Sequence, residues 1–128
     1  MKATQFLAPM LLSAAAVLMT TAPARAEGDA AAGQKTFAQC RACHSVDAGK
    51  NGLGPSLYGI VGRKAASAEG FKTYSPAMQK SGLTWTEDNL KKYLTDPKGF
   101  IAGNRMVFAG LKKPGDADNV IAYLKTLK

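Results

Sequence analysis

Both cysteines of the chain and its single histidine fall within five consecutive positions, Cys40, Cys43 and His44, in the stretch FAQCRACHSV. Thiolate and imidazole are the side chains that hold transition metals, and so tight a cluster points to one ligand that engages all three. Cysteines three apart at a helix end project to one side. The C-x-x-C-H spacing is an attachment signal for haem, the thiols adding to its two vinyl groups and the histidine binding iron. A structural zinc site wants four closed N or S ligands where this chain has three. A thioredoxin-like redox pair needs a βαβ setting that the sequence lacks. A plain disulfide, the ordinary use of two cysteines in an oxidising compartment, leaves the adjacent histidine unexplained. Haem attachment accounts for all three residues.

With no second histidine, the other axial position falls to methionine, lysine, a small molecule or nothing. Beyond residue 26 the methionines are Met78 and Met106. Met106 sits in IAGNRMVFAG between Gly103 and Gly110, where the backbone can bend close to a flat ring. Met78, in YSPAMQKSG, could equally fill a gap in the core. A neutral, oriented His44 needs an acceptor for its other ring nitrogen. The rigid Gly54-Pro55 turn offers a carbonyl, although an ordinary loop proline would look the same. Haem propionates are costly to bury without donors. Arg63, Tyr74 and Trp85 are donors on apolar or loop segments, with core packing the alternative for Tyr74 and Trp85 and a surface role for Arg63.

The elements that must position these residues are helical. Asp29 can cap a helix through AAAGQKTFAQCRA, which places the cysteines at a helix end. Thr86 caps a second helix with Glu87 and Asp88 in its first turn and Leu90, Tyr93 and Leu94 on one face, ended by Pro97. A third starts near Asp116 to Asp118, carries Val120, Leu124 and Leu127 on one face, and is closed by Lys125 and Lys128. The Gly-, Pro- and Ser-rich run from Asp47 to Phe71 has no period and is expected as an ordered loop. Its length is itself a hint that it wraps a bound group. The class is all-α: three main helices strung between long loops.

Residues 1–26, MKATQFLAPMLLSAAAVLMTTAPARA, have the zones of a secretory signal peptide: Lys2, an apolar run from Leu11 to Met19, and an Ala24-Arg25-Ala26 cleavage site. That run is well short of the ~20 residues needed to span a bilayer. Export and cleavage predict a periplasmic domain over residues 27–128, too small for more than one core. Without Lys2 and Arg25 the formal charge falls from +8 to +6. A basic excess suits acidic partner surfaces, anionic membranes or nucleic acid, and export argues against nucleic acid.

Taken in order, GQKTFAQCRACH, GLGPSLYGIVGRK, GFKTYSPAM with LTW, YLTDPKGFIAGNRMVFAGLKK and IAYLK resemble the class I c-type cytochromes, of the mitochondrial-like bacterial (cytochrome c2) type, from Glu27 to Lys128. The resemblance implies the cytochrome c fold around one haem c, attached covalently through Cys40 and Cys43. His44 and Met106 would be the axial ligands and Pro55 the acceptor from His44. Arg63, Tyr74 and Trp85 would lie in the propionate region and Tyr93 near the methionine sulfur. Gly33, Phe37 and Tyr123 match the crossing of the first and last helices. The sequence departs from the family at Ala102, where many relatives have proline, at Asn104, where many have threonine, and at Met78, where mitochondrial members have asparagine. An extra residue falls around Thr73.

The function so implied is that of a soluble, monomeric one-electron carrier, not an enzyme and not membrane-spanning. Its iron would cycle between Fe(II) and Fe(III) in a respiratory or photosynthetic chain. Expected partners are membrane redox complexes with acidic docking surfaces: a quinol:cytochrome c reductase as donor, and a cytochrome oxidase or photosynthetic reaction centre as acceptor. Lys35, Lys50, Lys98, Lys112 and Lys113 are the candidate docking charges. The alternatives are a periplasmic haem enzyme or ligand sensor with an open sixth iron position, and a haem-free interaction protein held by a disulfide.

Overall fold

The computed structural model describes residues 28–128, so the expected leader over 1–26 lies outside the described residues. Helix α1, Ala30–Thr36, begins where the Asp29 carboxylate accepts the N–H groups of Ala31 and Ala32 at 2.9 and 3.2 Å. It tightens into a 3₁₀ turn, Phe37–Gln39. Helix α5, Asp116–Leu124, starts at Gly115 (φ +87°) with Asp116 and Asp118 at the positive end of its dipole.

These two helices cross closely because Gly33 has no side chain. A Cβ there would run into the backbone of Asn119, which outweighs the ~1 kcal/mol that glycine costs inside a helix. The N–H of Asp29 donates to Asn119 Oδ1 at 2.8 Å across the crossing. Phe37, fully buried, stacks at a tilt on Tyr123 with ring centroids 5.2 Å apart, beside Val120. Burying a side chain such as Phe37 contributes about 2–3 kcal/mol.

Helix α3, Glu87–Thr95, is capped by Thr86, whose hydroxyl accepts from the N–H of Asn89 at 3.2 Å; Leu90 and Tyr93 form its buried face. Two short helices add to the three expected. Helix α2, Pro76–Lys80, follows Ser75, whose hydroxyl accepts from the N–H of Met78. Helix α4, Pro97–Phe100, follows Asp96, which accepts from the N–H of Gly99. Each begins with a capping side chain followed by proline, the residue whose missing N–H is no loss at a helix start. Neither is long enough to show a hydrophobic period. Pro97 thus both ends one helix and opens the next. At the C-terminus Leu127 lies beyond α5, whose last turn carries no basic residue; Lys125 is the cap and pairs with Glu87 at 2.7 Å.

The long loop from Asp47 to Phe71 is free of helix, as expected, and is ordered by specific ties. A short antiparallel contact joins it to the chain before α3: Gly62 N–H to Trp85 O, Trp85 N–H to Arg63 O and Ala65 N–H to Leu83 O, each 2.8 Å. Gly59 N–H donates to Leu127 O at 2.7 Å, tying the loop to the C-terminus. Among the described residues no helix is long and apolar enough to cross a membrane.

Candidate functional site

The 3₁₀ turn after α1 delivers the cysteines to one end of the helix. The N–H groups of Cys43 and His44 both donate to Cys40 O, at 3.2 and 3.0 Å, so the chain wraps once around the Cys40 carbonyl. Cys40 is half-buried, Cys43 exposed, and both are free thiols. Burial, with Cys43 adding to it, pushes the Cys40 thiol above its ordinary value. Among the described residues no group of three or more His, Cys, Asp or Glu side chains comes together as a metal cluster.

His44 is held on two sides. Its Nδ1 lies 2.7 Å from Pro55 O. A carbonyl can only accept, so Nδ1 carries the proton and Nε2 presents its lone pair. Burial lowers the His44 pKa, partly opposed by the bond to Pro55, and the ring is therefore neutral at neutral pH. Gly54 lies against the imidazole face: a Cβ on it would sit 2.8 Å from Nδ1 and 2.9 Å from Nε2. Its N–H donates to Cys43 O at 2.9 Å, which locks the 52–55 turn to the cysteine turn. The sequence signal for Gly54 was only its place before Pro55.

Arg63 donates through Nη1 to Tyr58 O and through Nη2 to Ser56 O, both at 2.9 Å, while its Nε is buried with no hydrogen-bond partner. Burial lowers its pKa, and Tyr74 lies close enough to oppose that shift. The Tyr74 hydroxyl accepts from the N–H of Ala68 at 3.0 Å, which leaves its own hydrogen to donate elsewhere, and its ring packs edge-on against Phe71. Trp85, bonded by its backbone to Arg63, is buried and tilts against Tyr93 at 5.0 Å. Burial raises the Tyr93 phenol to about 12. Arg63 and Tyr93 are thus both neighbours of Trp85, the first through the backbone and the second through its ring.

Met106 is partly buried in the loop after α4, packed against the core, and its N–H donates to Asn104 Oδ1 at 2.9 Å. Met78 is buried on α2. Asn104 and Arg105 order the loop but carried no sequence signal beyond the departure at Asn104. Arg105 Nη1 donates to Thr73 O at 3.1 Å, tying the methionine loop to the segment before Tyr74. Of the candidate docking lysines, all exposed, Lys50 pairs with Asp47 at 3.0 Å and Lys112 donates to Thr95 O at 2.9 Å, so part of their charge is engaged within the protein.

The donor set fits a tethered haem on its own terms. Two free thiols and an oriented neutral imidazole leave from one turn, Gly54 supplies a flat cradle that a side chain would fill, and Arg63 Nε is a buried donor with nothing to donate to. These features define a site for a c-type haem, covalently held from one side.

Comparison with known proteins agrees. The family model for cytochrome c matches residues 30–128. Cytochrome c2 iso-2 of Magnetospirillum fulvum is 65% identical over 91 residues, 71% of this chain and 94% of that protein. Among solved structures, cytochrome cH from Methylobacterium extorquens superposes with a TM-score of 0.73 at 53% identity, covering 77% of this chain and 99% of its own. Ferricytochrome c2 from Rhodopseudomonas palustris gives 0.72 at 43% identity, covering 78% and 99%. The chain belongs to the cytochrome c family. That family binds haem c covalently through two cysteines, and Cys40 and Cys43 are the two this chain has.

Proposed function

We propose that this chain is a soluble periplasmic shuttle whose iron is held by His44 and Met106, exported by a leader over residues 1–26 and working as a monomer over 27–128. It is a one-electron carrier of the cytochrome c2 type, serving membrane redox complexes, and not an enzyme. The observation that carries the ligand assignment is His44 Nδ1 at 2.7 Å from Pro55 O, which leaves Nε2 free to bind beside the two thiols.

When bound, haem c supplies a one-electron iron couple. The residues of the chain do the rest. Cys40 and Cys43 would hold the cofactor, each thiol adding its S–H across one haem vinyl group to form a thioether. Gly54 and Pro55 hold the His44 ring in one orientation and one tautomer. Met106 would be the second iron ligand, so that neither oxidation state need gain or lose one, and its thioether would favour the ferrous form. The unsatisfied Nε of Arg63 and the donors of Tyr74 and Trp85 would stabilise the propionates. Tyr93, buried against Trp85, would lie near the methionine sulfur.

Lys35, Lys50, Lys98, Lys112 and Lys113 steer docking to acidic surfaces of a quinol:cytochrome c reductase and of an oxidase or photosynthetic reaction centre. Transient redox encounters rely on such steering over small interfaces. The rate of reduction by a membrane donor should therefore fall steeply as salt rises.

The test of the ligand set is the visible spectrum of the purified protein, oxidised and reduced, beside Met106→Ala. The expected result is a low-spin spectrum with a weak far-red ferric band that Met106→Ala abolishes. A high-spin ferric spectrum unchanged by the substitution would rule Met106 out as ligand.

A further inference from the structure

We propose that Asn104 is a positioning residue for the iron ligand: its side chain latches Met106 to helix α4 and thereby sets how readily the methionine is displaced. The inference rests on the reading of Met106 as the axial ligand.

The side chain of Asn104 uses every strong hydrogen-bonding group of its amide on nearby backbone. Its oxygen accepts from the N–H of Met106 at 2.9 Å, and its nitrogen donates to Pro97 O at 2.8 Å and Ile101 O at 2.9 Å. Two carbonyls on one end and an N–H on the other admit only this orientation of the amide. Met106 is thus joined to the first residue of α4 and to the residue that ends it.

The other side-chain tie beside Met106, Arg105 Nη1 to Thr73 O at 3.1 Å, holds the neighbouring residue and leaves the Met106 N–H to Asn104. Gly103 (φ +86°) and Gly110 (φ +105°) flank it in conformations that suit glycine. Val107, next to the methionine, is 98% exposed, so its packing does not hold the chain. A methionine side chain has three rotatable bonds and no branch. Where its sulfur rests therefore depends on where its backbone is held, and Asn104 is the group that holds the Met106 N–H.

The threonine that the resembled family often carries here has one O–H and could not make all three bonds. Serine offers a graded substitute within this chain: Ser45, Ser56 and Ser81 each accept from the N–H two residues on, at 3.1, 3.2 and 3.5 Å. Asn104→Ser can keep the bond to Met106 while losing both bonds to α4. Asn104→Ala loses all three.

The test is competition by imidazole in the ferric holoprotein, with the far-red band and the guanidinium unfolding midpoint measured alongside. Wild type is set beside Met106→Ala, Asn104→Ala, Asn104→Ser and Asn119→Ala, the last removing an asparagine bond at the distant α1–α5 crossing. Asn104→Ala should bind imidazole roughly tenfold more tightly than wild type, the worth of about one good hydrogen bond. Asn104→Ser should fall between, and it carries the test if Asn104→Ala does not mature. Asn119→Ala should lower the unfolding midpoint with imidazole affinity unchanged. Asn104 variants that unfold more easily yet bind imidazole as wild type does would overturn the latch and leave Asn104 a structural residue. If wild type has no far-red band and Met106→Ala binds imidazole no more tightly, the ligand assignment itself falls, and the latch with it.

Discussion

The histidine side and the methionine side of the site are built by different means. From Cys40 to Leu57 the chain is fixed mostly by its own backbone: His44 N–H to Cys40 O, Gly54 N–H to Cys43 O, Gly52 N–H to Gly54 O and Leu57 N–H to Ser45 O. The ring of His44 meets a carbonyl on its edge and a glycine on its face. From Ile101 to Leu111 the ties beside Met106 are side chains, Asn104 and Arg105, with backbone bonds, Asn104 N–H to Ile101 O and Leu111 N–H to Leu94 O, only toward the two ends. An imidazole lone pair points one way and needs its ring aimed. A thioether on a flexible stem tolerates a looser mount. The difference places rigidity where direction matters and, on the proposed ligand set, makes the methionine side the half expected to be displaced first.

The largest break in that comparison should come from Gly54→Ala. Its methyl group collides with a ring that is bonded in place, and overpacking of this kind costs about 1–3 kcal/mol, here at the upper end. The expected outcome is a low yield of holoprotein whose spectrum has lost its low-spin character; a normal spectrum at full yield would show that the cradle is not tight. Next is Arg63→Leu, which removes two charge-assisted bonds to Ser56 and Tyr58 carbonyls in the loop behind the histidine turn. It should lower stability by about 2 kcal/mol in guanidinium unfolding while leaving the far-red methionine band in place.

Tyr93, on the helix whose C-terminal end anchors the methionine loop, gives the corresponding pH test. Its folded pKa of about 12 lies above the ordinary value of 10.0 because burial disfavours the phenolate. An acid with a raised pKa contributes stability that is full below pH 10 and is lost as pH rises toward 12. The contribution is at most about 2–3 kcal/mol. Tyrosinate absorbance should show one phenol ionising late, and Tyr93→Phe should remove both that step and its share of the alkaline loss. The smallest effect belongs to Arg105→Ala, which cuts an exposed tie to Thr73 O and should cost less than about 1 kcal/mol. Its mark should be a far-red band that fades at lower temperature with the global unfolding midpoint little changed.

Much of this was legible in the residues. The caps at Asp29 and Thr86 marked two helix starts because the signal is local: one side chain and the next three N–H groups. The helices α2 and α4 escaped because four or five residues show no period, although Ser75-Pro76 and Asp96-Pro97 carried the same kind of cap. The cysteine and histidine cluster was unmistakable because its chemistry is written in consecutive positions. Asn104 stood out only as a departure from a family pattern, since an asparagine in a glycine-rich loop is ordinary until its three partners are seen.

By itself the sequence determined the helical class, the attachment signal and the candidates for both iron ligands, because these depend on residue type and short spacing. Only the tertiary structure decided which carbonyl receives His44 Nδ1, that Gly54 must lack a side chain, and that Arg63 keeps one buried N–H without a partner. It also decided that Asn104 binds Met106 to α4 and Arg105 binds the same loop to residue 73, thirty-two positions away. Those are hydrogen bonds and close contacts between segments brought together by folding, and direction and distance across a fold have no local trace in the chain.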